Sequence, residues 1–232
     1  MVKKIDHKKM GRSQLGWLDS HFHFSFAGYY NPQNIHFGAL RVINDDIVQP
    51  RTGFDLHPHK DMEIISYVVD GELSHADSMG HEETLQRGEV QYMSAGKGVY
   101  HSEHNHGKIP TRFLQVWILP DREGHTPQYG DYRFDWNKRI NNWMEIASGE
   151  RDMAPIHINQ DVNVYATYLE AGQELSFEVK EGRQAYLVQI EGESVINELT
   201  LEERDALESV EESLHIHANK DSHLFVVEMK KF

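Results

Sequence analysis

Two pairs of metal-binding side chains, far apart in the chain, carry the residue types most able to do chemistry. His57 and His59 are separated by one residue, and so are His101 and Glu103. Residues two apart on a β-strand point to the same face, so each pair would present both of its side chains together. Two such strands side by side in a barrel would gather three imidazoles and one carboxylate. The spacing therefore predicts a metal site made by His57, His59, His101 and Glu103.

Three nitrogen donors and one oxygen donor suit a divalent transition metal that keeps coordination positions for substrate or O2. We expect one such ion per chain, Fe(II) first, with Mn(II), Ni(II), Cu(II) or Zn(II) as alternatives. Intrinsic affinity favours copper and nickel, so the ligands do not identify the native metal. The absence of cysteine excludes disulfides, iron–sulfur clusters and zinc-thiolate sites. The alternative interpretation, polar positions on a barrel surface, explains one such pair more easily than two.

The elements that must position these residues are short strands. Glu63–Val69, Val90–Met93 and Arg112–Leu119 are apolar or β-branched runs bounded by turn residues, and helical periodicity is scarce. Asp70–Gly71 is a strong hairpin signal that would join the first of these runs to Glu72–Ala76. The pattern predicts an all-β chain with few short helices.

The strand pattern stops in a polar connector and then restarts. Residues 121–142 are rich in turn formers, and strands resume at Val162–Leu169. The sequence around Asp70–Gly71 is echoed by Glu191–Gly192, which we interpret as a weak internal repeat. We therefore predict two tandem β-barrels, a metal-binding domain at residues 1–138 and a second domain at residues 139–232.

One acidic stretch conflicts with this pattern. Thr200–Glu203 fits a helix capping box, so Leu201–Glu212 could be a short helix. The alternative is a loop between barrel strands, and the sequence leaves both open.

The composition describes a folded chain with a strongly acidic surface. Hydrophobic residues make up 39% of the 232 residues, enough to bury a core in each half. With 37 acids against 23 bases, the net charge is −14, which disfavours binding to nucleic acid or to anionic membranes. No run of about 18 apolar residues occurs, and the basic start of the chain lacks the apolar stretch of a secretion signal. We expect a cytoplasmic protein.

The segments around both pairs resemble the two sequence motifs of the cupin superfamily. The matching residues are His57-x-His59-x-x-x-Glu63 with Gly71, and Gly88-x5-Ser94-x-Gly96 with His101-x-x-x-Asn105. Three departures stand out: the first glycine lies closer to the histidines, the gap before the second glycine is longer, and a serine stands where proline is usual.

Those departures are typical of one cupin subfamily, the pirins. Further segments resemble pirins too, densely over residues 12–120 and thinly beyond. These segments are Gly16–Asp19, Phe24–Phe26, Leu40–Val42, His57–His59, Ser94–Gly96 and His101–Glu103. The chain thus resembles the pirin family, and in particular its bacterial quercetin 2,3-dioxygenases.

The resemblance implies a bicupin that holds metal only in its N-terminal barrel. It also implies that Glu103, and not the first-motif glutamate Glu63, is the carboxylate ligand. Glu63 stays open as a rival ligand, or as an acceptor that orients a histidine N–H. Either glutamate could accept a proton from the substrate, so both are candidate catalytic residues.

The activity that the resemblance implies is cleavage of a flavonol such as quercetin by O2, with release of carbon monoxide. A metal with open positions could take the chelating 3-hydroxy-4-keto group of that small-molecule substrate. A second hypothesis, which other pirins suggest, is a metal- or redox-sensing regulator that binds a protein partner without turnover. A third is a metal-binding barrel with hydrolase or isomerase chemistry.

A candidate substrate cavity lies on one further strand. Phe113, Gln115 and Trp117 alternate along Arg112–Leu119 and so share a face. They could line the cavity, with Gln115 as the polar orienting group, and ordinary barrel core is the alternative.

The second half carries a third pair at the same spacing, His215 and His217. It has no matching second pair, and Gln184–Tyr186 stands where the first-motif histidines would be expected. We therefore expect the C-terminal barrel to hold no metal.

Overall fold

β-Strands form nearly all the regular structure of the computed structural model, which describes residues 1–150 and 152–231. The first twelve strands are β1 (Val2–Ile5), β2 (Gly11–Gln14), β3 (Leu18–Phe22), β4 (Leu40–Val48), β5 (Thr52–His59), β6 (Glu63–Asp70), β7 (Glu72–Asp77), β8 (Glu82–Gln86), β9 (Val90–Ser94), β10 (Val99–Asn105), β11 (Thr111–Ile118) and β12 (Gln128–Tyr132). The remaining ten are β13 (Met144–Ser148), β14 (Ile156–His157), β15 (Val162–Leu169), β16 (Glu174–Phe177), β17 (Arg183–Glu191), β18 (Glu193–Ile196), β19 (Leu199–Glu202), β20 (Ala206–Val210), β21 (Leu214–Ala218) and β22 (Ser222–Lys230). The all-β prediction is confirmed.

Helices contribute two short 3-10 segments to the described residues, His7–Lys9 and Trp136–Arg139. Each begins after an aspartate whose side chain accepts a backbone N–H two residues on. Across the part of the chain that the structure covers, no helix has the length and apolarity needed to span a bilayer.

The chain divides into two compact units, Gly11–Phe134 and the combination of Met1–Met10 with Asp135–Phe232. The first residues belong to the second unit because β1 pairs antiparallel with β20. This division differs from the predicted domains at 1–138 and 139–232 in the first ten residues and by a few at the junction. β1 is short, and its partner β20 lies far along the chain. The sequence of β1 therefore does not indicate which domain it joins.

The first unit is a barrel whose two sheets share one interior. Its larger sheet has the order β12-β9-β6-β11-β4-β3-β2, and its smaller sheet has the order β5-β10-β7-β8. An apolar cluster inside takes side chains from both sheets: Leu18, Val48, Leu73, Val68, Leu85 and Phe113. Burial of alternate side chains from both sheets closes the barrel.

The second unit repeats this arrangement. Its larger sheet has the order β1-β20-β17-β22-β15-β13-β14, and its smaller sheet has the order β16-β21-β18-β19. Its apolar core again draws on both sheets, and it includes Leu187, Leu207, Leu224, Val226, Ile196, Leu201, Leu214 and Ile216. Because the two smaller sheets match strand for strand, the predicted internal repeat of two barrels is confirmed.

The turn at Asp70–Gly71 joins the two sheets of the first barrel and does not form a hairpin. β6 pairs with β9 and β11, whereas β7 pairs with β10 and β8. The predicted hairpin is therefore wrong, although the turn and both strands lie where the sequence places them. Gly192 makes the same crossover from β17 to β18 in the second barrel, and both glycines have left-handed backbones, with φ of 74° and 81°.

Neither interpretation of the acidic stretch Leu201–Glu212 is right, because most of it lies in β19 and β20. Leu201 and Leu207 are both buried in the second core. The tight turn between the strands is closed by Asp205, whose Oδ2 accepts the backbone N–H of Glu202 at 2.9 Å. Burial of these two leucines on a sheet therefore outweighs the local sequence preference for a helix N-terminus.

The predicted connector at residues 121–142 contains a strand that matters for the site. β12 adds the outermost strand of the larger sheet by pairing with β9, and Tyr129 lies opposite Met93. Tyr129 therefore faces the interior with Met93, which packs in an apolar cluster there. The strand was missed because its sequence has no alternation of apolar and polar residues.

Candidate metal centre

The two predicted ligand pairs lie on adjacent strands of the smaller sheet, β5 and β10. The strands run antiparallel, with His101 directly opposite His57 and Val99 opposite His59. β5 is the edge strand of its sheet, which is where a sheet tolerates a proline such as Pro58. The spacing of the histidines thus directs all three imidazoles to one face.

The three imidazoles converge on one point. The Nε2 atoms of His57 and His101 are 3.0 Å apart. One ring nitrogen from each of His57, His59 and His101 lies within 4.8 Å of the others. His101 is buried, whereas His57 and His59 are partly exposed. The cluster is therefore open to solvent on the β5 side.

The chemistry of these donors fits a metal ion. His57 Nδ1 lies 2.8 Å from the carbonyl oxygen of Asp55, which accepts its hydrogen. That bond leaves the lone pair on Nε2, the atom that faces His101. Burial, reinforced by the neighbouring imidazoles, lowers the pKa of His59 and the pKa of His101 to about 3. Both rings are therefore neutral near pH 7 and able to coordinate a cation.

Glu103 lies in the same interior, with its carboxylate held by two hydrogen bonds. Ser66 Oγ donates to Oε1 and Gln115 Nε2 donates to Oε2, both at 2.6 Å. Burial raises the pKa of Glu103, and the nearby His75 and His57 act against that rise. The convergent donors are the three histidine nitrogens. Glu103 as the fourth ligand stays a prediction.

Glu63 is not brought to the imidazoles. It precedes Ser66 by three residues on β6, so the two side chains point to opposite faces, and Ser66 is the one that reaches Glu103. The Glu63 carboxylate instead accepts hydrogen bonds from Tyr92 Oη at 2.5 Å and from Ser94 Oγ at 2.6 Å. Glu63 is thus held on the opposite face from Ser66, and its roles as ligand, histidine-orienting acceptor or proton acceptor stay predictions.

The three candidate cavity residues on β11 have different surroundings. Phe113 is fully buried in the apolar cluster of the barrel. Gln115 donates to Glu103, and its Oε1 lies 3.0 Å from Ser66 Oγ, whose hydrogen goes to the closer carboxylate. Trp117 is partly exposed and meets the His59 ring edge-on, with centroids 4.9 Å apart. Trp117 borders the imidazole cluster, Gln115 reaches Glu103, and Phe113 is core.

Three further interior side chains near the cluster were missed by the sequence analysis. His75 lies opposite Glu103 in the pairing of β7 with β10, and its ring centroid is 5.3 Å from that of His101. Tyr129 stacks on His75 with centroids 4.8 Å apart. Gln91 is fully buried on β9.

A signal existed for two of these three residues. The predicted strand Glu72–Ala76 puts Leu73 and His75 on one face, and a histidine beside a core leucine is a candidate for the interior. Gln91 alternates in the same way within the predicted strand Val90–Met93. Tyr129 had no such signal, because its segment was interpreted as a connector.

The second barrel presents its histidine pair outward. His215 and His217 are exposed on β21 and alternate with buried residues. Their Nδ1 atoms lie 3.1 Å from Ser176 Oγ and 3.5 Å from a Glu174 oxygen. In sheet order, β16 is the strand that matches β5, whereas Gln184–Tyr186 lies on β17, which matches β6. The predicted location of the equivalent histidine motif was therefore wrong.

A second convergent group in the described chain consists of Asp6, His7 and Asp205. Lys4 Nζ lies 2.7 Å from Asp205 Oδ2, and His7 Nδ1 lies 2.8 Å from Asp205 Oδ1. The cationic lysine already neutralises this carboxylate, so the group is an ion-pair network that fastens β1.

Comparison with known proteins matches the two halves of the chain to two different family models. The family model described as Pirin matches residues 5–118, and the model described as Quercetinase C-terminal cupin domain matches residues 145–229. The quercetin 2,3-dioxygenase of Escherichia coli K12 is 37% identical, over 94% of each chain. A Pseudomonas aeruginosa relative that carries the same name provisionally is 41% identical, over 99% of this chain and 100% of its own.

Solved structures extend the likeness to the whole fold. The crystal structure of YhhW from Escherichia coli superposes with a TM-score of 0.94 at 36% identity, covering 100% of this chain and 99% of that one. A crystal structure of bacterial pirin YhhW in complex with nickel(II) gives 0.93 at 35% identity, covering 100% of both. Fold and site together define a bicupin with a candidate transition-metal centre in its first barrel. The chain belongs to the pirin family.

Proposed function

We propose that this chain is a metal-dependent dioxygenase that cleaves flavonols such as quercetin with O2. The observation that carries the proposal is the convergence of His57, His59 and His101, in a chain whose Escherichia coli relative is named quercetin 2,3-dioxygenase. In the overall reaction, both atoms of O2 enter the ring-opened depside. The carbon that bore the 3-hydroxyl leaves as carbon monoxide.

The three histidines would hold the metal, with Glu103 as the proposed fourth ligand. Fe(II) is our first candidate, and Mn(II), Ni(II), Cu(II) and Zn(II) are alternatives that the same donors accept. When bound, a divalent metal at this position lowers the pKa of a coordinated hydroxyl and so favours the reactive anion of the flavonol. The hydrogen bond from His57 Nδ1 to the Asp55 carbonyl keeps Nε2 aimed at the cluster.

Glu103 is the proposed acceptor of the flavonol 3-hydroxyl proton. Burial raises the pKa of this carboxylate. A loosely coordinated Glu103 would keep one oxygen free to take the proton. Ser66 and Gln115 anchor its two oxygens and fix the direction of the carboxyl group. The Ser66 hydroxyl can donate or accept, so these contacts suit both the charged and the protonated carboxyl.

The surroundings of the cluster suit a flat aromatic substrate. Trp117 stands edge-on to His59 with an angle of 82° between the rings, and it is partly exposed. His57 and His59 are the partly exposed side of the cluster, which gives a substrate access. A planar ligand that reaches the imidazoles can therefore lie against the indole of Trp117.

The test is oxygen uptake on quercetin by the protein loaded separately with Fe(II), Mn(II) and Ni(II), together with detection of carbon monoxide. We expect metal-dependent uptake, and we expect His57→Ala to lose both metal and uptake while remaining folded. His104→Ala is the matched control, because His104 lies on the same strand as His101 but three residues on, and it contacts Asp55 at 3.5 Å.

Two results would contradict the proposal. Full metal occupancy without oxygen uptake on quercetin would contradict the proposed activity. It would favour the second hypothesis, a metal- or redox-sensing regulator that binds a protein partner. Full metal retention by His57→Ala would remove the assigned site.

A further inference from the structure

Four hydrogen-bonding atoms on one side of the first barrel's interior face no partner in the protein. They are both amide atoms of Gln91, the hydroxyl of Tyr129 and Nδ1 of His75, each buried and without a hydrogen-bonding group in reach among residues 1–150 and 152–231. An unpaired buried polar atom has lost its hydrogen bonds to water without replacing them, which destabilises the folded chain. Three neighbouring side chains with such atoms therefore point to a polar molecule that completes them.

These side chains form one surface beside the imidazole cluster, which we call the polar wall (Gln91, Tyr129 and His75). Tyr129 and His75 stack with 16° between their planes. Gln91 lies opposite Asp131 in the pairing of β9 with β12, so it is a diagonal neighbour of Tyr129 on the same face. His75 brings the wall to within 5.3 Å of the His101 ring centroid.

The polar wall offers donors and acceptors in a pattern that hydroxyl groups match. His75 Nε2 faces Asp77 Oδ2 at 3.5 Å, which leaves Nδ1 as the acceptor. The Gln91 amide supplies two donor hydrogens and one acceptor, and the Tyr129 hydroxyl supplies one donor. The wall has no lysine or arginine to receive an anion. A ligand hydroxyl both donates and accepts, so it can satisfy these atoms without adding charge.

Another unpaired donor lies on the far side of the cluster. Trp117 Nε1 is buried without a hydrogen-bonding partner within the described chain. Trp117, Ile64, Met93 and Tyr129 form one row across β11, β6, β9 and β12. Trp117 and Tyr129 are therefore three strand spacings apart, roughly 14 Å between backbones. A three-ring molecule lying across the imidazoles can span that distance.

We propose that the polar wall binds hydroxyl groups of the flavonol that are remote from its metal-facing 3-hydroxyl and 4-keto oxygens. This inference rests on the proposed function, which supplies the ligand class. The wall then determines specificity. It favours polyhydroxylated flavonols over a flavonol whose single hydroxyl is the one at position 3.

The test compares two ligands and two tyrosine variants. Tyr129→Phe removes the unpaired hydroxyl and keeps the ring that stacks on His75. Quercetin and 3-hydroxyflavone, which lacks the remote hydroxyls, are titrated into the Zn(II)-loaded protein without O2 and followed by absorbance. We expect the Kd of quercetin to rise about fivefold or more and the Kd of 3-hydroxyflavone to stay unchanged. Tyr132→Phe, on the opposite face of β12, is the matched control and should change neither.

A stability measurement separates ligand binding from a role in the fold. Removal of an unpaired buried hydroxyl does not destabilise a protein, so Tyr129→Phe without ligand should unfold at the same or a higher denaturant concentration than wild type. Gln91→Leu, which removes two unpaired atoms at similar volume, should show the same ligand-selective loss of affinity.

The outcomes are distinct. Equal losses for both flavonols, or no loss for quercetin, overturn the polar wall and leave the proposed function standing. A clear fall in the unfolding midpoint of Tyr129→Phe shows that the hydroxyl serves the fold, and this also overturns it. If the wild type binds neither flavonol, the proposed function fails, and the ligand class assigned to the wall fails with it.

Discussion

At the scale of single residues, strand alternation separates two glutamates that share burial and side-chain hydrogen bonding. Glu63 and Glu103 are both buried, and each carboxylate accepts two side-chain hydrogen bonds. Glu103 lies on the interior face with Ser66, whose hydroxyl donates to it. Glu63 precedes Ser66 by three residues on the same strand, and this odd separation places Glu63 on the opposite face. This placement favours Glu103 over the first-motif glutamate for the proposed role at the metal centre.

We therefore predict opposite effects for two matched substitutions. Glu103→Gln should lower metal content after dialysis, measured by mass spectrometry, because an amide is a weaker ligand and its NH2 group faces the donors Ser66 and Gln115. Glu63→Gln should retain metal and lose about 1–3 kcal/mol of unfolding free energy, because its amide presents donors to Tyr92 and Ser94. The reverse ranking of metal contents would move the carboxylate role to Glu63.

At the scale of elements, the sequence predicted the strands that carry the site but not their partners. His57–His59 and His101–Glu103 were recognisable because members of a pair must share a strand face to act together. The turn at Asp70–Gly71 was recognisable too, yet the strands on its two sides join different sheets. Each strand pairs with strands that are remote in the sequence, and the turn residues carry no information about those partners. Tyr129 was not predicted as an interior residue for a related reason. Its strand β12 is held by pairing with β9 and has no apolar alternation of its own.

The two crossover turns should depend on glycine more than an ordinary turn does. A Cβ at Gly71 would lie 2.7 Å from the Pro110 carbonyl oxygen, and one at Gly192 would lie 2.0 Å from the Asp221 carbonyl oxygen. Both distances are to backbone atoms, so the substitution forces the chain apart. We expect Gly71→Ala and Gly192→Ala each to cost several kcal/mol of unfolding free energy, on the order of 2–4, from strain and overpacking together.

Gly182 provides the control for those turns, measured by the same urea unfolding. Its φ of 74° equals that of Gly71, but nothing lies within 4 Å of an added Cβ. Gly182→Ala should therefore cost only the strain of the left-handed backbone, about 1–2 kcal/mol. Equal losses in all three variants would mean that the crossover contacts contribute nothing beyond backbone conformation.

At the scale of the whole molecule, the two barrels share a sheet order, but among the described residues three imidazoles converge in the first interior alone. β16 and β21 occupy the places of β5 and β10. Leu175 lies opposite Ile216 on these two strands of the second barrel, and both side chains pack in its apolar core. Apolar side chains thus fill the second interior, and the histidines of β21 alternate outward. The same sheet order therefore carries the candidate metal centre in the first unit and an apolar core in the second.

This difference predicts a single tight metal equivalent per chain. In calorimetric titration with Ni(II), the wild type should bind one tight equivalent, because the three imidazoles that converge in the described part of the chain all belong to the first barrel. The double variant His215→Ala, His217→Ala should keep that equivalent and its oxygen uptake, since two exposed imidazoles hold a cation far more weakly than three convergent ones. Loss of the tight equivalent in the double variant, with His57→Ala retaining it, would place the metal in the second barrel and reverse the roles of the two units.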